Sequence, residues 1–284
     1  MSCPRAATVI LAVTVALVAS GCSHRATEQI GGELALPDGV QSVRLEIDNG
    51  TLDVAPPLAG GGERRITFEG GLRMDASDAA QLQQLAGAEH SLVARLDPAD
   101  PTVLLVQGPR APDGVQGMIA YEGNVRVPTG MPLEVVVRNN GHVTMVGRRA
   151  SSRVETRRGD LRFEDCKGGV KAKTSQGNVI AYDHVGDLDV RTQNGDMQAF
   201  VIEPGAVVTL KTGKGTVQCY LPPTLECEVD ARASIGRIGN DFGFEVMKPT
   251  AYSSAMVGSS GGRATRVLLR TEAGHIAMRA LDQR

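Results

Sequence analysis

A glycine-centred repeat constrains this chain more than any other feature. Eight segments align on Gly50, Gly141, Gly159, Gly177, Gly195, Gly215, Gly236 and Gly274. From Gly141 the steps are 18, 18, 18, 20 and 21 residues, and the last step, to Gly274, is 38. Two places after each glycine stands an apolar residue: Leu52, Val143, Leu161, Val179, Met197, Val217, Ile238 and Ile276. Five places before, from Leu45 through Leu269, all eight are apolar again; four places after, seven are, Asn240 being the exception. Alternation with period 2 on both sides of a glycine turn describes short, half-buried strands. Its recurrence at a near-constant interval describes strands stacked coil upon coil. The expected fold is therefore all-β: a β-solenoid (β-helix-like) with coils of about 18–21 residues, each rising one strand spacing, roughly 4.8 Å.

Composition fits that geometry. Of 284 residues 34 are Gly, none is Trp, and only four Tyr and five Phe occur. A thin coil has a narrow interior that Val, Ala, Leu and Met fill, and glycine supplies positive φ at its corners without Cβ strain. Thr156, Thr174, Thr192 and Thr212 recur three places before their glycines, with Thr271 repeating the theme. Stacked, they form a hydroxyl ladder, either a self-satisfying lining or a ligand track, the lining being the simpler reading. A formal net charge of −2 argues against a nucleic-acid partner, which needs a basic footprint.

The regular pattern is interrupted at about 60–130. Asp75 to Gly87 reads as a short capped helix, and Arg65–Glu69, Ser91–Leu96 and Thr102–Gln107 read as strands. Together they describe a small α+β elaboration near the N-terminal end. Phe242 to Gly262, polar and rich in Gly and Ser, reads as a coil looped out. Open ends of a stack invite aggregation, so covering elements are expected.

The N-terminus reads as an address. One positive charge within Met1–Arg5, an uncharged and mostly apolar Ala6–Val18, and the small residues of Ala19-Ser20-Gly21-Cys22 make a secretory signal. The apolar run is shorter than the roughly 20 residues a spanning helix needs. Small-small-Cys at this place resembles the lipobox of bacterial lipoproteins, with Ala19 where a Leu is usual. That resemblance implies a lipoprotein signal peptide over 1–21 and a lipid anchor on Cys22, whose acyl chains (palmitate among them) hold the protein on a membrane. Ser23 resembles the outer-membrane sorting position. Residues 22–42 are then the lipidated Cys and a polar tether, and 43–284 a single β-solenoid domain. The plainer alternative is a signal peptide cut near Gly21, with Cys22 incidental.

A search for chemistry finds little. Cys166, Cys219 and Cys227 remain beyond the signal; Cys219 and Cys227 could close a loop, but three small buried hydrophobes is the simpler reading. His24, His90, His142, His184 and His275 show no metal-ligand spacing, so no metal is expected, and no nucleophile elbow, P-loop or dinucleotide motif appears. The nine-residue beat Gly159, Gly168, Gly177, Gly186, Gly195 differs from calcium-binding β-rolls, because Asp160, Asp187 and Asp196 sit immediately before the apolar residue rather than two places before it. Arg158-Gly159-Asp160 spells a cell-attachment tripeptide by coincidence of the repeat. Solenoids of other families cleave polysaccharides with clustered acids, and Asp160, Glu164, Asp165, Asp183, Asp187 and Asp189 fall in the middle coils. Beside Lys171, Lys173 and Arg191 they read more simply as a mixed solvated surface. The chain is thus expected to be no enzyme and to need no cofactor. One surface pattern stands out. Tyr182, Phe200 and Tyr220 fall five places after successive glycines, and Lys173, Arg191 and Lys211 four places before. They form a candidate binding stripe for a protein or an anionic glycan, or else a packed corner and a basic edge.

The strand pattern T-x-x-G-x-apolar, the run Val127-Pro128-Thr129-Gly130-Met131-Pro132-Leu133 and the closing Arg270-Thr271-Glu272-Ala273-Gly274-His275-Ile276 resemble the bacterial putative-adhesin β-strand-repeat family, over about Val43 to Met278. That family is a domain of unknown function often carried on envelope lipoproteins. The resemblance implies a β-solenoid and no catalytic residues. The expected function is a non-enzymatic envelope lipoprotein offering a binding or spacer surface, adhesive in kind. The alternatives are a periplasmic accessory of an envelope-stress or export system and, less fitting, a polysaccharide-active enzyme.

Overall fold

A computed structural model describes residues 7–8, 15–20, 23–58, 64–88, 90–248, 250, 252–260 and 265–281. These residues are all-β with one short helix. They divide into two compact units, Met1–Val143 and Thr144–Arg284, where the sequence suggested one domain from residue 43.

The first unit carries β1 (Ala7–Thr8), β2 (Val15–Ser20), β3 (Ser23–Ala35), β4 (Ser42–Ala55), β5 (Arg65–Ala76), α1 (Ala79–Ala86), β6 (Val93–Leu96), β7 (Val103–Gln107) and β8 (Gly117–Arg126), and most of β9 (Leu133–Val146). Strands β2, β3, β5 and β8 pair antiparallel in that order. The stretch expected to be a polar tether is thus a strand: Ala26, Ile30 and Leu34 of β3 are buried. Its signal was hidden because Glu28 occupies an inward position and Gly31-Gly32 interrupts the alternation. The first half of β4 pairs parallel with β7 and the second half with β8. The interval read as an elaboration therefore contributes a coil that lies against β4. Helix α1 forms as its caps dictate: the Asp78 carboxylate accepts from Gln81 N at 2.8 Å, and the Gly87 N–H closes onto Gln83 O. Leu82 and Leu85 are its buried face.

The second unit carries β10 (Ser152–Arg158), β11 (Leu161–Glu164), β12 (Val170–Gln176), β13 (Val179–Asn194), β14 (Met197–Lys214), β15 (Val217–Leu221), β16 (Cys227–Ile235), β17 (Ile238–Asn240), β18 (Val246–Met247), β19 (Ser254–Ser260), β20 (Thr265–Ala273) and β21 (Ile276–Ala280). Two parallel ladders run through it. In the first, β10, β12, the later half of β13, the later half of β14, β20 and β16 pair in that order. In the second the order is β11, early β13, early β14, β15, β21 and β17. Register follows the repeat: Val154 faces Ala172, which faces Val190, then Leu210, Leu269 and Ala231. All six are buried, so in this unit the position five before the glycine lines the interior, whereas before Gly141 Val136 is only half-buried and Val135 and Val137 are the buried residues.

Glycine is required at the corner for two reasons at once. At Gly177, Gly195, Gly215 and Gly274 φ lies between +142° and +151°, and an added Cβ would strike the carbonyl oxygen of the corner glycine one coil earlier in the stack. The same approach orders the coils. Gly177 lies on Gly159, Gly195 on Gly177, Gly215 on Gly195, Gly274 on Gly215, and Gly236 on Gly274. The coil of β20 and β21, last in sequence, is therefore inserted between the coil of Gly215 and that of Gly236. Sequential stacking, which the spacing implied, is corrected here: the chain leaves a gap after Leu221, builds the outer coil, and returns to fill it. The stretch Phe242 to Gly262, read as a looped-out coil, instead contributes the antiparallel pair β18 and β19, and β19 covers the open edge of β16.

Candidate functional site

Register is kept along most of both ladders, with shifts in β13–β14 between Ala181 and Leu188, so outward positions fall into columns of side chains. In the second ladder, Tyr182, Phe200 and Tyr220 stack with ring centroids 5.1 Å and 4.3 Å apart and planes within 15°. The guanidinium of Arg162 sits 5.0 Å from the Tyr182 ring centre and pairs with Glu164. At the other end Arg279 is opposite Tyr220 and pairs with Asp241 at 2.8 Å. The rings are half-buried and packed on each other face to face.

Lys173, Arg191 and Lys211 also form a column, but in the first ladder, and the structure extends it by Arg270 and Arg232. The cations and the rings thus stand in different ladders, as two features rather than one stripe. Arg191 is held by Asp189 at 3.0 Å, while Arg270 and Arg232 share Asp230. Burial would raise the Asp230 carboxyl, but the hydrogen bond and charge of Arg270, helped by Arg232, hold it below the usual range. Beside the column lies a shallow groove of about 230 Å³ lined by Arg153, Glu155, Lys171, Lys173, Asp189 and Arg191. The extra members sat at the same offset before Gly274 and Gly236 and were legible once coil order was known.

Two ladders of polar side chains tie coil to coil. The Thr ladder turns its hydroxyls not on each other but on glycine: Thr174 Oγ1 donates to Gly159 O at 3.4 Å, Thr212 to Gly195 O and Thr271 to Gly215 O, both at 3.0 Å. Directly after the glycines runs a second ladder that sequence reasoning missed. Asn178 N donates to Asp160 Oδ1 at 2.7 Å, Asp196 N to Asn178 Oδ1 at 2.8 Å, and Thr216 N to Asp196 Oδ1 at 2.7 Å. His275 ends the series, its Nδ1 accepting from Arg237 N. The acid of Arg158-Gly159-Asp160 is therefore engaged in holding the next coil. Asp187 likewise accepts from Val207 N at 3.0 Å, and Asp165 pairs with Lys167. Asp160 and Asp187 tie neighbouring coils together and Asp165 pairs within its own turn, rather than converging on one cleft.

At the opposite corner, Gly147, Asp165 and Asp183 adopt positive φ, and the residues that follow, Arg148, Cys166 and His184, are fully buried. Burial pushes the Cys166 thiol up and the His184 imidazole down. Cys219 and Cys227 are free buried thiols, that of Cys219 pushed up to about 12 by burial. All three are inert in this state. Cys22 lies outside the described residues. Among the described residues no helix is long and apolar enough to cross a membrane, and no group of three His, Cys, Asp or Glu side chains is placed to hold a metal.

No family model matches this chain, and no curated protein does. Two solved structures are similar at a low level. One is named as a putative cell adhesion protein from Clostridium sporogenes, 13% identical, with a TM-score of 0.37 over 89% of this chain and 100% of its own. The other is named as a putative adhesin from Bacteroides fragilis, 10% identical, with a TM-score of 0.37 over 89% of this chain and 97% of its own. At that TM-score neither carries an argument about what this chain does.

Proposed function

We propose that this chain is a non-enzymatic lipoprotein of the bacterial cell envelope, held on the outer membrane through lipid on Cys22, and that its stacked coils are a β-solenoid serving as a binding surface of adhesive kind. The observation that carries the reading is the conversion of one outward residue per coil into a continuous column, as in the three stacked rings. A column of like side chains at strand spacing offers the same group repeatedly to one extended partner. The lipobox resemblance at Ala19-Ser20-Gly21-Cys22 supplies the anchor; cleavage there removes β1 and β2 with the signal and leaves β3 as the first strand of the anchored protein. The test is metabolic labelling with radioactive palmitate. Label in the wild-type chain, absent from Cys22→Ser, is the expected result; no label, or label that survives the substitution, contradicts the anchor.

A further inference from the structure

The first ladder of the second unit carries a charge pattern opposite to that of the whole chain. Its outward columns hold Arg153, Arg157, Lys171, Lys173, Arg191, Lys211, Arg270 and Arg232 against Glu155, Asp189, Asp230 and Glu272, in a chain whose formal charge is −2. Lys173, Arg191, Lys211, Arg270 and Arg232 are directly opposite one another on adjacent strands. Like charges in that relation are destabilising. Asp189 and Asp230 neutralise the arginines, but Lys171, Lys173 and Lys211 have no carboxylate partner within ion-pair distance among the described residues. Glu155 stands opposite Lys173 and Asp189 opposite Lys171, so the face is partly balanced, but cations outnumber carboxylates on it, and Lys173 and Arg191 of the column line the groove.

We infer that this face binds a linear acidic polysaccharide laid across the strands, along the axis of the stack. The inference rests on reading the outer face as a binding surface. Five cations in register span four strand spacings, roughly 19 Å. An extended hexuronate chain carries one carboxylate per sugar, so a run of about five sugars supplies anions along the length of the column. The carboxylates set among the cations, Glu155, Asp189 and Asp230, accept hydrogen bonds from free sugar hydroxyls, which a hexuronate chain offers and a DNA backbone does not. Ser175 and Gln193, one outward row along, extend that hydroxyl-binding capacity.

The experiment is binding of alginate to the purified protein, measured by calorimetry, with neutral dextran and single-stranded DNA as controls. Lys173→Ser/Lys211→Ser is the test variant. Expected results are binding of alginate that weakens with added salt, no binding of dextran, a loss of at least tenfold in the variant, and affinity that climbs with oligomer length up to about five uronates. Lys173→Ser removes both the repulsion of Arg191 and the attraction of Glu155 opposite it, so the variant should melt close to the wild type, and a thermal melt separates lost binding from lost folding. Absence of alginate binding, equal binding by the variant, or equal binding of DNA each overturns the inference. None of these outcomes bears on palmitate labelling at Cys22, so failure here is distinguishable from failure of the lipoprotein reading.

Discussion

At the scale of single residues, the corner glycines carry two demands that one substitution separates. Gly195 has φ of +149° and lies against the Gly177 carbonyl; Gly114 has φ of +83° with open space around its Cα. Gly195→Ala should destabilise the protein by roughly 3 kcal/mol or more, through strain plus collision, and Gly114→Ala by only about 1 kcal/mol, through strain alone. Urea unfolding checks both; equal effects would contradict the close-approach argument. Two buried glutamates of the first unit give opposite pH signatures. Burial pushes the Glu28 carboxyl above its ordinary 4.5, with His90 opposing weakly. A raised carboxyl means the folded state holds its proton more tightly, so stability falls as pH rises from about 4.5 through the raised value. Glu28→Gln should therefore raise Tm at pH 7 and change it little at pH 4. For Glu46, burial is outweighed by the Gln107 and Arg138 hydrogen bonds and the charges of Arg138 and Arg44, and its carboxyl lies below 4.5. That contribution is present above pH 4.5 and lost as pH falls through the lowered value. Glu46→Gln should cost about 1–2 kcal/mol at pH 7, with the difference closing on acidification; Tm against pH for both variants decides.

At the scale of elements, the coils hold each other through side chains as well as strand ladders. Asn178 both donates its N–H to Asp160 and accepts from Asp196 N, so Asn178→Ala removes a coil-to-coil acceptor. A loss of about 1 kcal/mol is expected, with Asn178→Asp retaining most of the stability, measured by thermal melting. The covering strand β19 is the other element with a specific duty. Met256, fully buried on it, faces Ala231 of the edge strand. Met256→Pro should break this pairing, expose β16 and shift sedimentation toward larger species; an unchanged profile would deny β19 that role.

The periods legible in the sequence are those that repeat within each coil: apolar inward, polar outward, glycine at the corner. They placed the strands of the second unit, the three-ring row and the basic row. The Asx ladder escaped because Asp160, Asn178 and Asp196 acquire their role only from the amide of the next coil. Strand β3 escaped because Glu28 faces inward where an apolar residue would have marked the period. Coil order escaped for a deeper reason. Every coil presents the same apolar and glycine pattern, so any coil can stack on any other, and the connections alone decide.

At the scale of the whole molecule, the central claim is that columns of like side chains arise from parallel paired coils, with the last coil in sequence inserted before the outermost one in the second unit. Cysteine cross-linking tests it most directly. Gln218 faces Ala277, and Ala277 faces Gly239, so Gln218 and Gly239 are two strands apart. Neighbouring parallel strands lie about 4.8 Å apart, within reach of a disulfide, whereas two spacings are beyond it. Mild oxidation of Gln218→Cys/Ala277→Cys should close an intramolecular disulfide, seen as a reduction-sensitive shift in gel mobility, while Gln218→Cys/Gly239→Cys stays open. The reverse pattern, closure of the second pair and not the first, would restore sequential stacking and contradict this account.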